Sequence, residues 1–353
     1  MNFTFYTSTQ EAWRGMAQAF KAAQRTIHIE QYIFNTDDAG MEFIGILREK
    51  AKNGVKVKIL ADAVGSSQLF LSPLVKEMQK DGIEIRFFNT FIIGAPGHHT
   101  TLFFRDHSKL AVIDRHIGFT GGICIKEMMR DWRDTHVQIE GGAVIGEMEE
   151  AFERMWHFAQ KKILHRAKKR TLEDTEYITS APIPTQRYMY YRLIEAIRNA
   201  KQTIHLTTPY FAPDRRLFRV LLLAARRGVD VALLLPKSSD YWYMDLVAES
   251  YFNRALRSGI RIYLYTDSMI HAKTGIIDGE WATVGSQNLD TVSLRYNFEA
   301  NIVSSNKDFV RVVESHFLED ISKAQLLRTE MWKKRPQIRK LLNILVKPFR
   351  IIL

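Results

Sequence analysis

The chain has a single cysteine in 353 residues, Cys124, so no internal disulfide can form and no Cys/His zinc spacing can be assembled. That scarcity fits a reducing, cytosolic setting. No uncharged apolar run approaches the ~18–20 residues that a membrane-spanning helix needs. The opening stretch "MNFTFYTSTQEAWRG" lacks the basic-then-apolar layout of a secretion signal. A soluble or membrane-peripheral protein is therefore expected. Acid is in deficit: 39 Asp and Glu against 50 Lys and Arg leave a net charge of +11. Such a balance favours an anionic partner, either nucleic acid or phospholipid headgroups.

What is present is ordinary for a large core, with 46% hydrophobic and 25% charged residues. The length exceeds one typical domain and suggests two domains or a duplicated unit. The positive charge is uneven. One cluster is "KKILHRAKKR", Lys161 to Arg170. The other is the tail "MWKKRPQIRKLLNILVKPFRIIL", Met331 to Leu353, with seven Lys or Arg and no acid.

The sequence is written twice. "AFKAAQRTIHIEQYIF" (Ala19 to Phe34) resembles "AIRNAKQTIHLTTPYF" (Ala196 to Phe211), with Thr26, Ile27 and His28 matching Thr203, Ile204 and His205 at an offset of 177. "AKNGVKVKILAD" then resembles "ARRGVDVALLLP", and "DGIEIRFF" resembles "SGIRIYLY". The period is too long for a solenoid. Leu193, Ile194, Ile197 and Ala200 recur at helical spacing before the strand-like "TIHLTT". "LFRVLLLAARRG" reads as an amphipathic helix closing at Gly228, and "VDVALLLP" as the buried strand after it. This alternation predicts an α/β fold of two fused copies, each a mainly parallel sheet flanked by helices. The expected division is 1–160, a basic linker 161–185, 186–328, and a basic amphipathic tail 329–353.

One pattern carries chemistry. "HSKLAVID" (His107 to Asp114) and "HAKTGIID" (His271 to Asp278) repeat His-x-Lys-x-x-x-x-Asp 164 positions apart. On a strand, positions i and i+2 share a face, so His107 points with Lys109 and His271 with Lys273. For one copy, an ordinary strand with a polar end explains the residues as well. Two copies at equivalent places favour one site shared by both halves. Two imidazoles and two ammonium groups suit phosphoryl transfer: one histidine attacks phosphorus, the other protonates the leaving oxygen, and the lysines neutralise the phosphate oxygens. Lysines repel a cation, so a metal site is disfavoured and no cofactor is expected.

These residues resemble the phospholipase D superfamily, and the wider pattern looks most like bacterial cardiolipin synthases. It includes "YIFNTDDAG", "DAVGS", "DWRDTHVQIEG", "TTPYFAPD" and "GSQNLD". The resemblance implies a covalent phosphohistidine, with His107 as nucleophile and His271 as general acid and then base. It implies that Lys109, Lys273, Ser286 and Asn288 hold the phosphate. Glu299 matches an acid that orients a catalytic histidine, and Asp134 is its counterpart, one residue out of register. Asp114 and Asp278, though part of the repeated motif, are expected to brace the local fold. Two departures are present: Cys124 stands where the family pattern has asparagine, and Val292 where it usually has arginine.

The implied reaction is phosphatidyl transfer, two phosphatidylglycerol molecules giving cardiolipin and glycerol. A nuclease of the same superfamily, or a phospholipase D or phosphatidylserine synthase using another acceptor, is the alternative. The tail mixes Arg339, Lys340, Lys347 and Arg350 with Leu, Ile, Val and Phe, with Trp332 upstream, as an interfacial helix does. A terminal helix packed on the core is the competing explanation. "SQLFLSPLV", "FIIGAPG" and "SDYWYMDLV" are candidate rims of a lipid cleft, and "GAPGHH" (Gly94 to His99) a candidate site loop. The expectation is a peripheral protein on the cytoplasmic face of the cell membrane, touching anionic phospholipid and not nucleic acid.

Overall fold

The structure is a computed structural model that describes residues 1–90, 104–161, 164 and 174–351. The stretch Phe91 to Gly97, the loop Gly94 to His99 and most of the basic cluster Lys161 to Arg170 lie outside the described residues.

The first half supplies strands β1 (Asn2–Ser8), β2 (Thr26–Gln31), β3 (Lys56–Asp62), β4 (Glu84–Phe88), β5 (Lys109–Ile113), β6 (Ile117–Gly121) and β7 (Arg133–Glu140). They form one sheet in the order β1-β7-β6-β5-β2-β3-β4. The second half supplies β8 (Thr175–Ser180), β9 (Thr203–Thr207), β10 (Phe211–Ala212), β11 (Asp230–Pro236), β12 (Arg261–Tyr265) and β13 (Thr274–Ile277). It continues with β14 (Trp281–Gly285), β15 (Leu289–Asp290), β16 (Glu299–Ser304) and β17 (Ala324–Leu326). All but the short β10–β15 pair form a sheet ordered β8-β16-β14-β13-β9-β11-β12-β17. Each first-half strand has a counterpart in the same place, and β17 is added at the edge. Register repeats as well: Ile27 sits between Val57 and Ile113 as Ile204 sits between Val231 and Ile277.

The two-copy α/β fold is present, but its sheets are mixed and not mainly parallel. Within the large sheets, parallel pairing joins β2–β3–β4 and β9–β11–β12, and the other neighbours run antiparallel. The reason is connection length. Only residues 114–116 separate β5 from β6, whereas a parallel crossover needs a dozen or more residues.

The first-half helices are α1 (Thr9–Ala22), α2 (Asp38–Lys52), α3 (Ser67–Phe70), α4 (Leu74–Lys80) and α5 (Ala143–Lys161). The second-half helices are α6 (Tyr188–Asn199), α7 (Arg215–Arg226), α8 (Trp242–Arg257), α9 (Thr291–Arg295), α10 (Lys307–Ser322), α11 (Thr329–Lys333) and α12 (Gln337–Leu345). Helices α1 and α2 cover the outer face of the first sheet, and α6, α7 and α8 that of the second. Between the sheets lies a shared core. There Leu110, Val112 and Val137 join Leu234, Ile276 and Val284, with Phe152 of α5 and Phe309 and Phe317 of α10. Each such side chain contributes about 1.5–3 kcal/mol on burial, so the halves are welded and not merely tethered. Leu193, Ile194 and Ile197 face inward on α6, and Gly228 follows α7 with φ +91°, a left-handed position that favours glycine.

Two boundary expectations change. Thr175–Ser180, inside the expected linker, is strand β8, paired with β16 along the edge of the second sheet. Trp332, expected as an interfacial anchor, is buried beside Phe252, and its Nε1 donates to Asn253 Oδ1 (2.9 Å). The tail docks on α8 through Arg339–Glu249 (2.7 Å) and Asn343 Nδ2, which donates to Leu246 O (3.3 Å). Its opposite face leaves Ile338, Leu341, Ile344 and Leu345 more than half exposed. No helix among the described residues is long and apolar enough to cross a membrane.

Candidate active site

Both histidines lie in extended segments just ahead of their strands, His107 before β5 and His271 before β13. Each is pinned by the other half. His107 N–H donates to Phe298 O (2.9 Å), and His271 N–H donates to Arg133 O (2.7 Å). The residue after each acceptor is an acid. Consequently His107 Nδ1 lies 3.0 Å from both carboxylate oxygens of Glu299, and His271 Nδ1 lies 2.7 Å from Asp134 Oδ2. The one-residue slip between Glu299 and Asp134 thus leaves them in matching roles toward opposite histidines.

The lysines sit beneath. Lys109 Nζ donates to the His107 carbonyl (2.6 Å) and lies 5.2 Å from the Tyr32 ring centroid. Lys273 Nζ bonds the His271 carbonyl and is 2.9 Å from His271 Nε2. Ser286 Oγ donates to Glu299 Oε2 (2.5 Å). Asn288 is buried beside Asp290, its Oδ1 without a hydrogen-bond partner. All eight polar side chains are nearly inaccessible, His107 the most open at 8%.

Asp114 and Asp278 do not join this group. They occupy the far ends of β5 and β13 in left-handed backbone, φ +51° and +54°. Asp114 accepts the N–H groups of Gln24, Arg25 and Thr26, and Asp278 those of Lys201, Gln202 and Thr203, at 2.7–2.8 Å. Each clamps the entry of β2 or β9 to its hairpin.

Electrostatics follow burial. Burial pushes the His107 imidazole down to about 4, with Glu299 opposing and Lys109 adding to the shift. His271 falls to about 3 through burial and Lys273, against Asp134. Lys273 is drawn down to about 8 by burial, with Asp134 opposing and Lys109 repelling. For Asp134, burial alone would raise the carboxyl, but Lys273 and His271 outweigh it and hold it at about 2. At neutral pH both imidazoles are therefore uncharged, the form in which a ring nitrogen is nucleophilic or basic.

Some residues escaped the sequence reading. Tyr32 packs on the His107 ring (4.8 Å between centroids), and Trp132 on that of His271 (5.2 Å). Tyr210 lies 6.3 Å from His271 and 5.8 Å from Tyr241, next to Trp242, which is 71% exposed. "SDYWYMDLV" therefore reaches the second histidine through Tyr210, against which its Tyr241 packs. Asp106 and Glu30 form a buried carboxyl pair behind His107. Burial and then Asp62 lift Asp106 to about 7. The residue before each motif histidine was a visible signal, since the second copy has Ile270 where the first has Asp106.

For a metal, His28, Glu149 and Glu153 are the close group among the described residues, with ligand atoms within 4.8 Å. Lys58 already holds Glu153 (2.6 Å) and Arg115 holds Glu149 (3.3 Å). His28 stacks on Phe152 as His205 stacks on Phe317, so the pair reads as a repeated brace.

Comparison with known proteins agrees with this architecture. Residues 16–156 and 193–321 match the family model described as cardiolipin synthase, PLD-like domain. A probable cardiolipin synthase of Bacillus subtilis is 31% identical over 95% of this chain and 69% of its own length. A cardiolipin synthase of Listeria monocytogenes is 33% identical over 94% and 71%. Among solved structures, phosphatidylserine synthase of Haemophilus influenzae shares the fold, with TM-score 0.78 at 14% identity over 99% of this chain and 95% of that one. Two copies of one α/β unit, fused around a pair of histidines that each takes its acid from the opposite copy, thus come with a family match over most of the chain: the protein belongs to the cardiolipin synthase family and is an enzyme of the phospholipase D superfamily.

Proposed function

We propose that the protein is a phosphatidyltransferase that converts two phosphatidylglycerol molecules into cardiolipin and glycerol. The observation that carries this reading is the reciprocal hold of the histidines, His107 by Glu299 and His271 by Asp134. His107 Nδ1 is engaged, while Nε2 makes no hydrogen bond to the described residues and is free to attack phosphorus. Lys273 Nζ lies 2.9 Å from both ring nitrogens of His271, and an ammonium so close makes the ring a readier proton donor, which suits the proton-transfer role.

In the first displacement, the His107 Nε2 lone pair forms the N–P bond as the P–O bond to glycerol breaks. His271, as imidazolium, gives its proton to that oxygen. Burial first, and then Lys273 and Lys109, disfavour the imidazolium in the free site; the diester's negative charge between the lysines offsets their repulsion and raises its population. In the second displacement, His271 takes the proton from a hydroxyl of another phosphatidylglycerol, whose oxygen attacks phosphorus and expels His107. Lys109, Lys273, Ser286 and Asn288 hold the non-bridging oxygens, and Glu299 and Asp134 position the rings. No step calls for a metal. The basic, apolar-faced tail supports peripheral work at the cytoplasmic surface of the cell membrane.

The test is incubation of purified protein with phosphatidylglycerol vesicles, and separately with single-stranded DNA, in chelator. Cardiolipin and glycerol are expected, with retained configuration at a chiral phosphorus. Cut DNA with intact lipid, or inversion at phosphorus, overturns the reading.

A further inference from the structure

Away from the histidines, the outer face of the second half carries a groove of about 960 Å³ between α7, α8 and the turn Lys347–Ile351. Seven cations and one carboxylate line it. Arg215, Arg219 and Arg226 stand on one side of α7, facing Arg254 of α8 and Lys347 and Arg350 of the turn. The carboxylate, Asp214, is already occupied: it accepts from Leu217 N (2.8 Å), Tyr190 Oη (2.8 Å) and Arg295 Nη2 (2.5 Å). Among the described residues, Arg215, Arg219, Arg226, Arg254 and Lys347 form no salt bridge. A neighbouring depression of about 580 Å³ shares Arg215 and Arg219 and adds Arg198, Arg216 and Arg227. Like charges at this spacing repel and cost stability, so their concentration around a single, already occupied acid marks a surface shaped for an anion.

The chemistry around the cations selects the anion. Phe218, Leu222 and Leu223 line the groove, and its two aromatic rings, Phe218 and Tyr251, are at most 6% exposed. A single-stranded nucleic acid groove would offer open ring faces for base stacking, and this one does not. Beside it, α12 turns Ile338, Leu341, Ile344 and Leu345 outward, apolar positions three to four residues apart with Arg339 and Lys340 between them. Arginines over an apolar floor, next to an outward apolar helix face, match the boundary between headgroups and acyl chains.

We propose that this groove is a second phospholipid site, which takes the phosphodiester headgroup of an anionic lipid in the membrane surface and docks the enzyme there. It shares no lining residue with the histidine centre. The proposal stands whichever alcohol that centre uses.

The probe is sedimentation of the full chain with vesicles of phosphatidylglycerol in phosphatidylcholine, at low salt. Arg219→Gln/Arg226→Gln removes two exposed charges and should weaken binding about fivefold per charge, so about thirtyfold for the pair. Turnover of monomeric short-chain phosphatidylglycerol should stay within about twofold of the parent. Lys56→Gln/Lys76→Gln removes the same charge from the first half and should change vesicle binding little. Arg254→Gln, on a separate helix, guards against a local effect on α7 and should weaken binding about fivefold. Equal losses from groove and control variants overturn the site in favour of diffuse attraction. Unchanged vesicle binding with lost oligonucleotide binding overturns it in favour of nucleic acid.

Discussion

In the first half, His107 leans through Nδ1 on Glu299 and leaves Nε2 unengaged, whereas in the second half His271 leans on Asp134 and has Lys273 Nζ against its ring, 2.9 Å from both nitrogens. The surroundings differ in the same sense. The second copy brings Ser286 onto Glu299 and carries Asn288 two residues on, and the first copy has Gly122 and Cys124 at those places. Gly122 is dictated by closeness, because a Cβ there would lie 2.1 Å from Asp134 Oδ1. The same position holds Ser286 in the other copy, where its Oγ donates to Glu299. Duplication supplied two similar units, and in the proposed mechanism their small inequalities give the histidines different tasks. Since each ring takes its acid from the opposite copy, neither half forms the site alone.

The largest effect that could break this comparison comes from the histidines. His107→Ala and His271→Ala should each lower turnover by roughly 10⁴-fold or more. Only His271→Ala should still acquire label from phosphorus-labelled substrate, slowly and on His107. Label on His271 in the His107→Ala protein would reverse the two roles.

The motif itself was legible because it is local: His, Lys and Asp within eight residues, twice, in a repeated frame. The identities of Glu299 and Asp134 came from likeness, but their exchange between halves spans 192 and 137 residues and no local pattern contains it. Sheet direction is hidden in the sequence because strand–helix alternation in the first part of each copy masks the hairpins that follow. The burial of Trp332 is hidden for a related reason. Its basic neighbours suggested an interface, yet Phe252 and Asn253 of α8 close over it. The arginines of α7 looked like the polar side of an amphipathic helix, and only the return of Lys347 and Arg350 across it creates a groove.

Next in size are the positioning acids. Glu299→Gln and Asp134→Asn keep the shape but remove the charge that fixes each ring, and losses on the order of 10²–10⁴-fold in kcat are expected with KM little changed. Unequal responses would sharpen the comparison. Glu299→Gln should slow formation of the phosphohistidine in single-turnover measurement, and Asp134→Asn should slow both its formation and its resolution. Effects confined to KM would make these residues substrate contacts instead.

The pH profile tests the same electrostatics. Protonation of the His107 nucleophile, held at about 4, places the acid limb well below the ordinary histidine value of 6.5. Loss of the Lys273 ammonium, drawn down to about 8, places the alkaline limb there, with kcat/KM falling about tenfold per pH unit above it. Stability should follow the histidines in sign. Between pH 6.5 and 4 the unfolded chain binds protons that the folded site refuses, so their contribution, present above 6.5, is lost as pH falls through that window. Urea titrations across pH 4–7 measure this, and a flat midpoint would place the rings in water.

Smaller effects come from exchanging residues between the halves. Gly122→Ser installs the second-copy residue against Asp134, and should cost on the order of 1–3 kcal/mol of stability. By displacing the acid that holds His271, it should also lower turnover about tenfold.

The least disruptive exchange is Cys124→Asn. The thiol is 1% exposed and, chiefly through burial, held above its usual pKa, so it stays neutral although Lys109 and Lys273 lie near enough to lower it. A carboxamide there gives the first copy the donor proposed for Asn288 in the second, and it is a far stronger donor than a thiol. It also brings extra volume into a closed space, and the two effects oppose each other. Turnover within about threefold of the parent, with KM equal or lower, is therefore expected. If Cys124→Asn instead abolishes activity while the protein stays folded, the phosphate rests on the first copy at this position, and the polar division between the halves runs the other way.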